Sequence, residues 1–233
     1  MKSFGWINSL VLGVILSAIL FLQTHLLIPF LSNTTNLEPV IFWFIVAGLG
    51  MFLPMILYGI YILKNEGLEL SKNTFKSRLR FSKMTKQDWL VTLYSFIAIG
   101  FLSFVFMELL KLFFNNVSHQ PSFMYFEPLT PDRYWILLLW LPYWLLNILG
   151  EEFFWRGVIL PKQNISGKFG WVMNSVAWGL FHLSFGFNLM ITLLPILIIL
   201  PFAVNRQKNS WIGVILHAGL NGPSFLAISF GLI

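Results

Sequence analysis

Residues Trp135–Arg156 read WILLLWLPYWLLNILGEEFFWR. The first sixteen of these positions carry no charge, and they run directly into two adjacent glutamates and, four residues further on, an arginine. At about 1.5 Å per residue such a stretch crosses most of a bilayer core of about 30 Å, so it reads as a membrane helix that delivers three charges to one end of its span. The composition of the whole chain agrees. Of 233 residues 57% are hydrophobic and 10% charged, against roughly 25% charged in a soluble domain. A water-soluble fold of this size lacks the polar surface to cover so much apolar area, so lipid must be part of the solvent.

Working outward, seven segments are long and apolar enough to span, or nearly so: 5 to 31, 39 to 63, 89 to 114, 134 to 157, 169 to 187, 188 to 204 and 211 to 231. The expected fold is therefore an all-α, polytopic helical bundle of about seven transmembrane helices, a single integral membrane domain over residues 1–233. The first segment is too long for the apolar part of a signal peptide and lacks a small-residue cleavage site, so it reads as a retained helix. The turn between the fifth and sixth segments, near Gly186 and Asn188, must be tight, and Pro195 and Pro201 are expected to kink the sixth.

The formal charge of +6 could point to nucleic acid, but its carriers sit in the loops. With the N-terminus cytoplasmic, Lys2, Lys64, Lys72, Lys76, Arg78, Arg80, Lys83, Lys86, Lys162, Lys168, Arg206 and Lys208 fall inside, and Arg133 falls outside. That asymmetry is the positive-inside pattern, so the charge reports topology, with the C-terminus extracytoplasmic and no nucleic-acid partner. The loop 64 to 88 reads as a solvated topology loop, with a short amphipathic interfacial helix as the alternative. Asn116-Val117-Ser118 fits a glycosylation acceptor, a pattern common by chance. With no cysteine in the chain, disulfides and thiolate metal sites are excluded, and a metal would need His, Glu, Asp or Asn ligands.

Ionisable groups inside spans are costly, so each is a candidate for function. His25 lies in the outer part of the first helix, where an interfacial or packing role suffices. Glu108 and Lys111, three apart, read as a structural pair, with Lys111 able to snorkel outward. The remaining set is Glu151, Glu152, Arg156, His182, His217 and Asn221. Counted from the inner helix ends, Glu151, His182, His217 and Asn221 occupy one band of depth, roughly 9 to 20 Å. A shared hydrated cavity would satisfy all of them. Glu152 and Arg156 are four apart and form an intrahelical ion pair, while Glu151, rotated by about 100°, stays free for chemistry. Trp178 with His182, and His217 with Asn221, also project in pairs. A carboxylate and an imidazole facing one water make a general base, and a second imidazole with an amide can donate to an oxyanion, which together suit peptide hydrolysis. The same Glu151, His182 and His217 can equally hold Zn²⁺ with an open water position.

These residues resemble the three motifs of the CAAX protease and bacteriocin-processing family (CPBP or Abi) of intramembrane proteases. Its EExxxR motif corresponds to Glu151-Glu152-Phe153-Phe154-Trp155-Arg156. Its FxxxH motif corresponds to Trp178-Gly179-Leu180-Phe181-His182, with Trp in place of Phe, and its HxxxN motif to His217-Ala218-Gly219-Leu220-Asn221. The resemblance covers the motif-bearing core 134–225. It implies an intramembrane endopeptidase in which Glu151 is the general base, His182 its partner on the water, and His217 with Asn221 stabilise the oxyanion. Glu152, Arg156 and Trp178 are then structural support. It leaves a zinc enzyme and a metal-free glutamate mechanism both open, and implies a peptide or membrane-protein substrate. Eukaryotic relatives trim prenylated CAAX proteins, and bacterial ones are linked to bacteriocin processing or self-immunity. A bacterial plasma membrane is the expected location, with the site open to the cytoplasm. Two other classes stay in view: a non-catalytic immunity or scaffold protein, and a proton-coupled small transporter, against which stands the lack of an inverted repeat.

Overall fold

The structure, a computed structural model, describes residues 2–114 and 120–232; the Asn116-Val117-Ser118 pattern lies outside them. The described residues form helices and connecting turns with no strand. Six helices are long and apolar enough to cross a membrane: α1 (Trp6–Thr35), α2 (Pro39–Asn65), α3 (Lys86–Phe113), α4 (Ile136–Ile165), and two more, Phe187–Gln207 and Trp211–Ser229. Between α4 and Phe187 the expected fifth span is instead a helix of 12 residues, α5 (Gly170–Phe181). At about 18 Å this helix cannot cross a bilayer core alone. It ends at His182, followed by a 3₁₀ turn (Leu183–Phe185) and Gly186, whose φ of 88° is open to a residue without a side chain. This is the tight turn expected there. Phe187–Gln207 is then α6 and Trp211–Ser229 is α7. Pro195 and Pro201 both lie inside α6 without ending it.

Several helices are locally widened to i→i+5 hydrogen bonding, and three of these π-helical turns stand just before a proline. They are Gln23–Leu27 before Pro29, Gly48–Phe52 before Pro54, and Glu152–Ile159 before Pro161. A proline has no N–H, and its ring crowds the carbonyl four residues back; widening the preceding turn relieves that clash without breaking the helix. The helix carrying the double glutamate thus runs on to Ile165, where a break at 157 was expected, and Leu160, Pro161, Lys162 and Gln163 are buried.

The loop between α2 and α3 is neither a solvated connection nor an amphipathic helix. It folds as a cap. Leu79 is fully buried, and its carbonyl and that of Arg80 accept hydrogen bonds from Ser210 at the start of α7. Arg78 donates through Nε and Nη2 to the Glu66 carboxylate (2.8 and 3.2 Å), and through Nη1 and Nη2 to the carbonyls of Gly157 and Val158. Those carbonyls lie where Pro161 offers no donor. Lys162 completes the cluster with a 2.7 Å bond to Glu66. Thr85 and Asp88 form a reciprocal cap that starts α3.

The outer face of α3 exposes Tyr94, Ile97, Phe101 and Phe104, as a lipid-facing helix should. Glu108 and Lys111 pair on it at 2.8 Å, half exposed. His25 is exposed and stacks on Phe21, with ring centroids 4.2 Å apart, which is a packing role. Arg133 pairs with Glu38.

Burial alone would raise the pKa of Glu66, but the bonds and charges of Arg78 and Lys162 outweigh it and hold the carboxyl below its ordinary 4.5. Its contribution to stability is therefore complete above that value and lost as the pH falls through the lowered one. The melting temperature in detergent should drop on acidification below 4.5, and less steeply in Glu66→Gln; a wild-type profile no steeper than the variant's would contradict this. Arg78→Ala, which leaves Glu66 with Lys162 alone and uncovers two carbonyls, should cost about 2 kcal/mol.

Candidate active site

The double glutamate lies where α4 widens. Every residue from Glu152 to Ile159 is buried, and Glu151 is buried just before them. The wide turn is held by side chains from neighbouring helices. The amide of Asn174 on α5 donates to the Trp155 carbonyl (3.0 Å) and to Gln163 Oε1 (2.9 Å), and Gln163 donates to Ser9 on α1 (2.9 Å). This polar chain ties three helices to the segment that carries the acids.

Glu151 and Glu152 point to different partners. Glu151 accepts from the Asn147 amide on Oε1 (2.8 Å) and from the Trp178 indole N–H on Oε2 (2.5 Å). The same Oε2 lies 3.9 Å from His182 Nε2. That gap is too long for a direct bond and suits a water within reach of both atoms. His182 is aimed by its other nitrogen: Nδ1 lies 2.8 Å from the Trp178 carbonyl, which can only accept, so the proton sits on Nδ1 and Nε2 keeps a lone pair toward Glu151.

Glu152 faces two groups, where the sequence pointed to one. Its Oε2 lies 3.3 Å from Arg156 Nε, and its Oε1 lies 3.0 Å from His217 Nδ1 on α7. The Arg156 pair is one of charge proximity: no nitrogen of that guanidinium has hydrogen-bonding geometry to a described residue. Its carbon sits 3.7 Å over the Trp178 ring instead, in a cation–π contact. The two histidine rings meet the same indole edge-on, at centroid distances of 5.3 Å (His182) and 5.7 Å (His217). Trp178 is thus the hub of the cluster.

Of the residues named from sequence, Glu151, Glu152, Arg156, Trp178, His182 and His217 come together. Asn221 is half-buried one turn beyond His217 on α7, and its amide makes no hydrogen bond to a described residue. Asn147 was missed, although an amide four residues before Glu151 in an apolar span was a readable signal. Gly213 was missed as well. A β-carbon there would lie 2.3 Å from Glu152 Oε2, so only glycine lets α7 pass this close to the acid. A groove of about 380 Å³ opens between α4 and α7, lined by Trp140, Trp144, Gly219 and Gly222 among others, with neither His217 nor Asn221 in its wall.

For the zinc ion that the sequence offered as an alternative, Glu151 keeps a lone pair on Oε2, and each histidine, held through Nδ1, keeps its Nε2. Among the described residues no group of three or more His, Asp or Glu side chains is placed to hold one ion.

Residues 133–222 match a family model described as Rce1-like, type II CAAX prenyl endopeptidase Rce1-like. This segment is similar to that family. The match covers well under half of the 233 residues, but it contains all three motifs, and it agrees with the CAAX protease family they resemble. No curated protein and no solved structure matches the chain. The Rce1-like segment and the apolar helices together support, at the level of the family, an integral membrane protease of CAAX type.

An exposed helical Gly→Ala change normally stabilises by up to about 1 kcal/mol. Gly100, with open space around it, should follow that rule. Gly213→Ala should instead lower the melting temperature and the folded yield, and a stabilised Gly213→Ala protein would show that the approach of α7 to Glu152 is not as close as described.

Proposed function

We propose that the chain is an intramembrane endopeptidase that hydrolyses peptide bonds in a membrane-associated peptide or protein, with Glu151 as general base. The observation that carries this reading is the 3.9 Å separation of Glu151 Oε2 and His182 Nε2, two acceptors spaced to take hydrogen bonds from one water. In the reaction the water oxygen bonds to the substrate carbonyl carbon while one of its protons passes to Glu151. His217, backed by Glu152, presents Nε2–H to the developing oxyanion, and the Asn221 amide adds a second donor. Collapse of the tetrahedral intermediate breaks the C–N bond, and the departing nitrogen takes the proton from Glu151. Each step uses the chain's own groups.

Arg156 and Glu152 keep the acid pair electrically balanced in a fully buried place. The apolar spans around the cluster favour a substrate that is itself membrane-associated. The excess of basic residues at the ends of α2, α4 and α6 supports a site served from the cytoplasmic side, and a bacterial plasma membrane remains the setting we favour.

Glu151→Gln keeps shape and burial but removes the base. Comparing the peptides of membranes carrying wild-type protein with those carrying Glu151→Gln should reveal products that depend on Glu151; identical peptide populations would refute the proposal. Arg156→Ala should reduce folded yield, because Glu152 would lose a counter-charge. Stoichiometric zinc in purified active protein, lost in His182→Ala, would overturn the metal-free assignment.

A further inference from the structure

One residue aims both halves of the water-binding pair. The Trp178 side chain donates to Glu151 Oε2, its backbone carbonyl fixes His182 Nδ1, and the two atoms so aimed, Glu151 Oε2 and His182 Nε2, lie 3.9 Å apart. The family motif that this stretch resembles has Phe at this position, and Phe has no N–H to give. We infer that Trp178 is a positioning residue for hydrolysis in this chain, its indole N–H holding the Glu151 carboxylate so that the rest of Oε2 faces the water beside His182. This rests on the proposed role of Glu151.

Three features favour that role over simple packing. The ring is fixed on several sides: Arg156 lies over its face, and the two histidines approach it at 84° and 77°. With the residue also 1% exposed, the direction of the N–H is set before substrate arrives. Indole nitrogen is a donor only, so it can orient a carboxylate without competing for the proton that the carboxylate must take from water. The guanidinium above the ring draws on its electrons, which strengthens the N–H as a donor to a charged acceptor. The Asn147 amide on Oε1 completes a two-point grip, so that losing either donor frees the carboxylate to rotate.

The test has two arms. In protein labelled with ¹⁵N at its tryptophans and held in nanodiscs, the Trp178 indole resonance is assigned by its absence in Trp178→Phe. It should lie downfield of ordinary indoles and move upfield in Glu151→Gln; a resonance that does not respond to Glu151→Gln would overturn the contact whether or not the protein is a peptidase. In the second arm, a peptide whose cleavage depends on Glu151 is followed with wild type and Trp178→Phe. The expected result is a kcat lower by roughly ten- to a hundredfold with KM unchanged. Unchanged kcat, or a loss of thermal stability alone, would reduce Trp178 to a packing residue. Replacing Trp178 by its benzothiophene isostere, which keeps shape and ring but lacks the N–H, serves the same purpose if Phe impairs folding. Absence of any Glu151-dependent cleavage would bring down the proposed hydrolysis and the positioning role with it, while the first arm still decides the hydrogen bond.

Discussion

The bundle is organised around a buried charge problem. Glu151, Glu152, Arg156, His182 and His217 are all nearly or wholly removed from solvent, in a chain whose outer helices face hydrocarbon. An isolated ion in such a place is not sustainable, so each group must find an opposite charge, a hydrogen bond or an aromatic face. The solution is asymmetric. Glu152 faces two partners, the Arg156 guanidinium four residues away and the His217 ring on α7, while Glu151 is held by neutral donors. The glycine at 213 and the half-length of α5 read as consequences: α7 must approach Glu152 within reach of a histidine, and α5 must end where its last residues meet the acids from α4.

Proline placement is what lets α4 deliver the acids at that depth and still continue. Pro161 would break an ordinary helix or leave carbonyls bare in a buried place. Here the turn before it widens, Asn174 reaches the Trp155 carbonyl, and Arg78 covers Gly157 and Val158. The cap therefore does more than orient the chain in the membrane. Its guanidinium is a structural donor to the same segment that bears the double glutamate, and Glu66 with Lys162 keeps that donor in place. Sequence-distant parts of the chain, Ser9, Arg78 and Asn174, thus converge on one widened turn.

How much of this could be read in advance follows from the range of each interaction. The helical class and the spans follow from apolar runs, and the observed helices begin and end within a few residues of the expected limits for α1, α2, α3, α6 and α7. Gathering of the acids and imidazoles was legible because residues four apart share a helix face, as for Trp178 with His182. The second partner of Glu152 was not, since His217 is 65 positions away and no local spacing joins them. The short α5 was hidden because an apolar run such as 169 to 187 looks alike whether it crosses lipid or packs inside protein. Arg78 was read as a loop cation because charge counting cannot tell a solvated guanidinium from one spent on carbonyls. Pro29, Pro54 and Pro161 were visible signals of widened turns, and Asn147 stood at the same four-residue spacing that drew attention to the other pairs.

The anchoring of the two histidines gives the site its division of labour. Both rings use Nδ1 to hold on to the protein and leave Nε2 for chemistry, but their anchors differ in charge. His182 gives its Nδ1 proton to a neutral carbonyl, which leaves a lone pair at Nε2 and makes that ring an acceptor toward water. His217 instead sets its Nδ1 against a carboxylate, Glu152 Oε1, at 3.0 Å. In the proposed hydrolysis one ring takes a hydrogen bond from the nucleophile and the other gives one to the oxyanion, and the second glutamate of the pair then acts through His217 while touching neither water nor substrate.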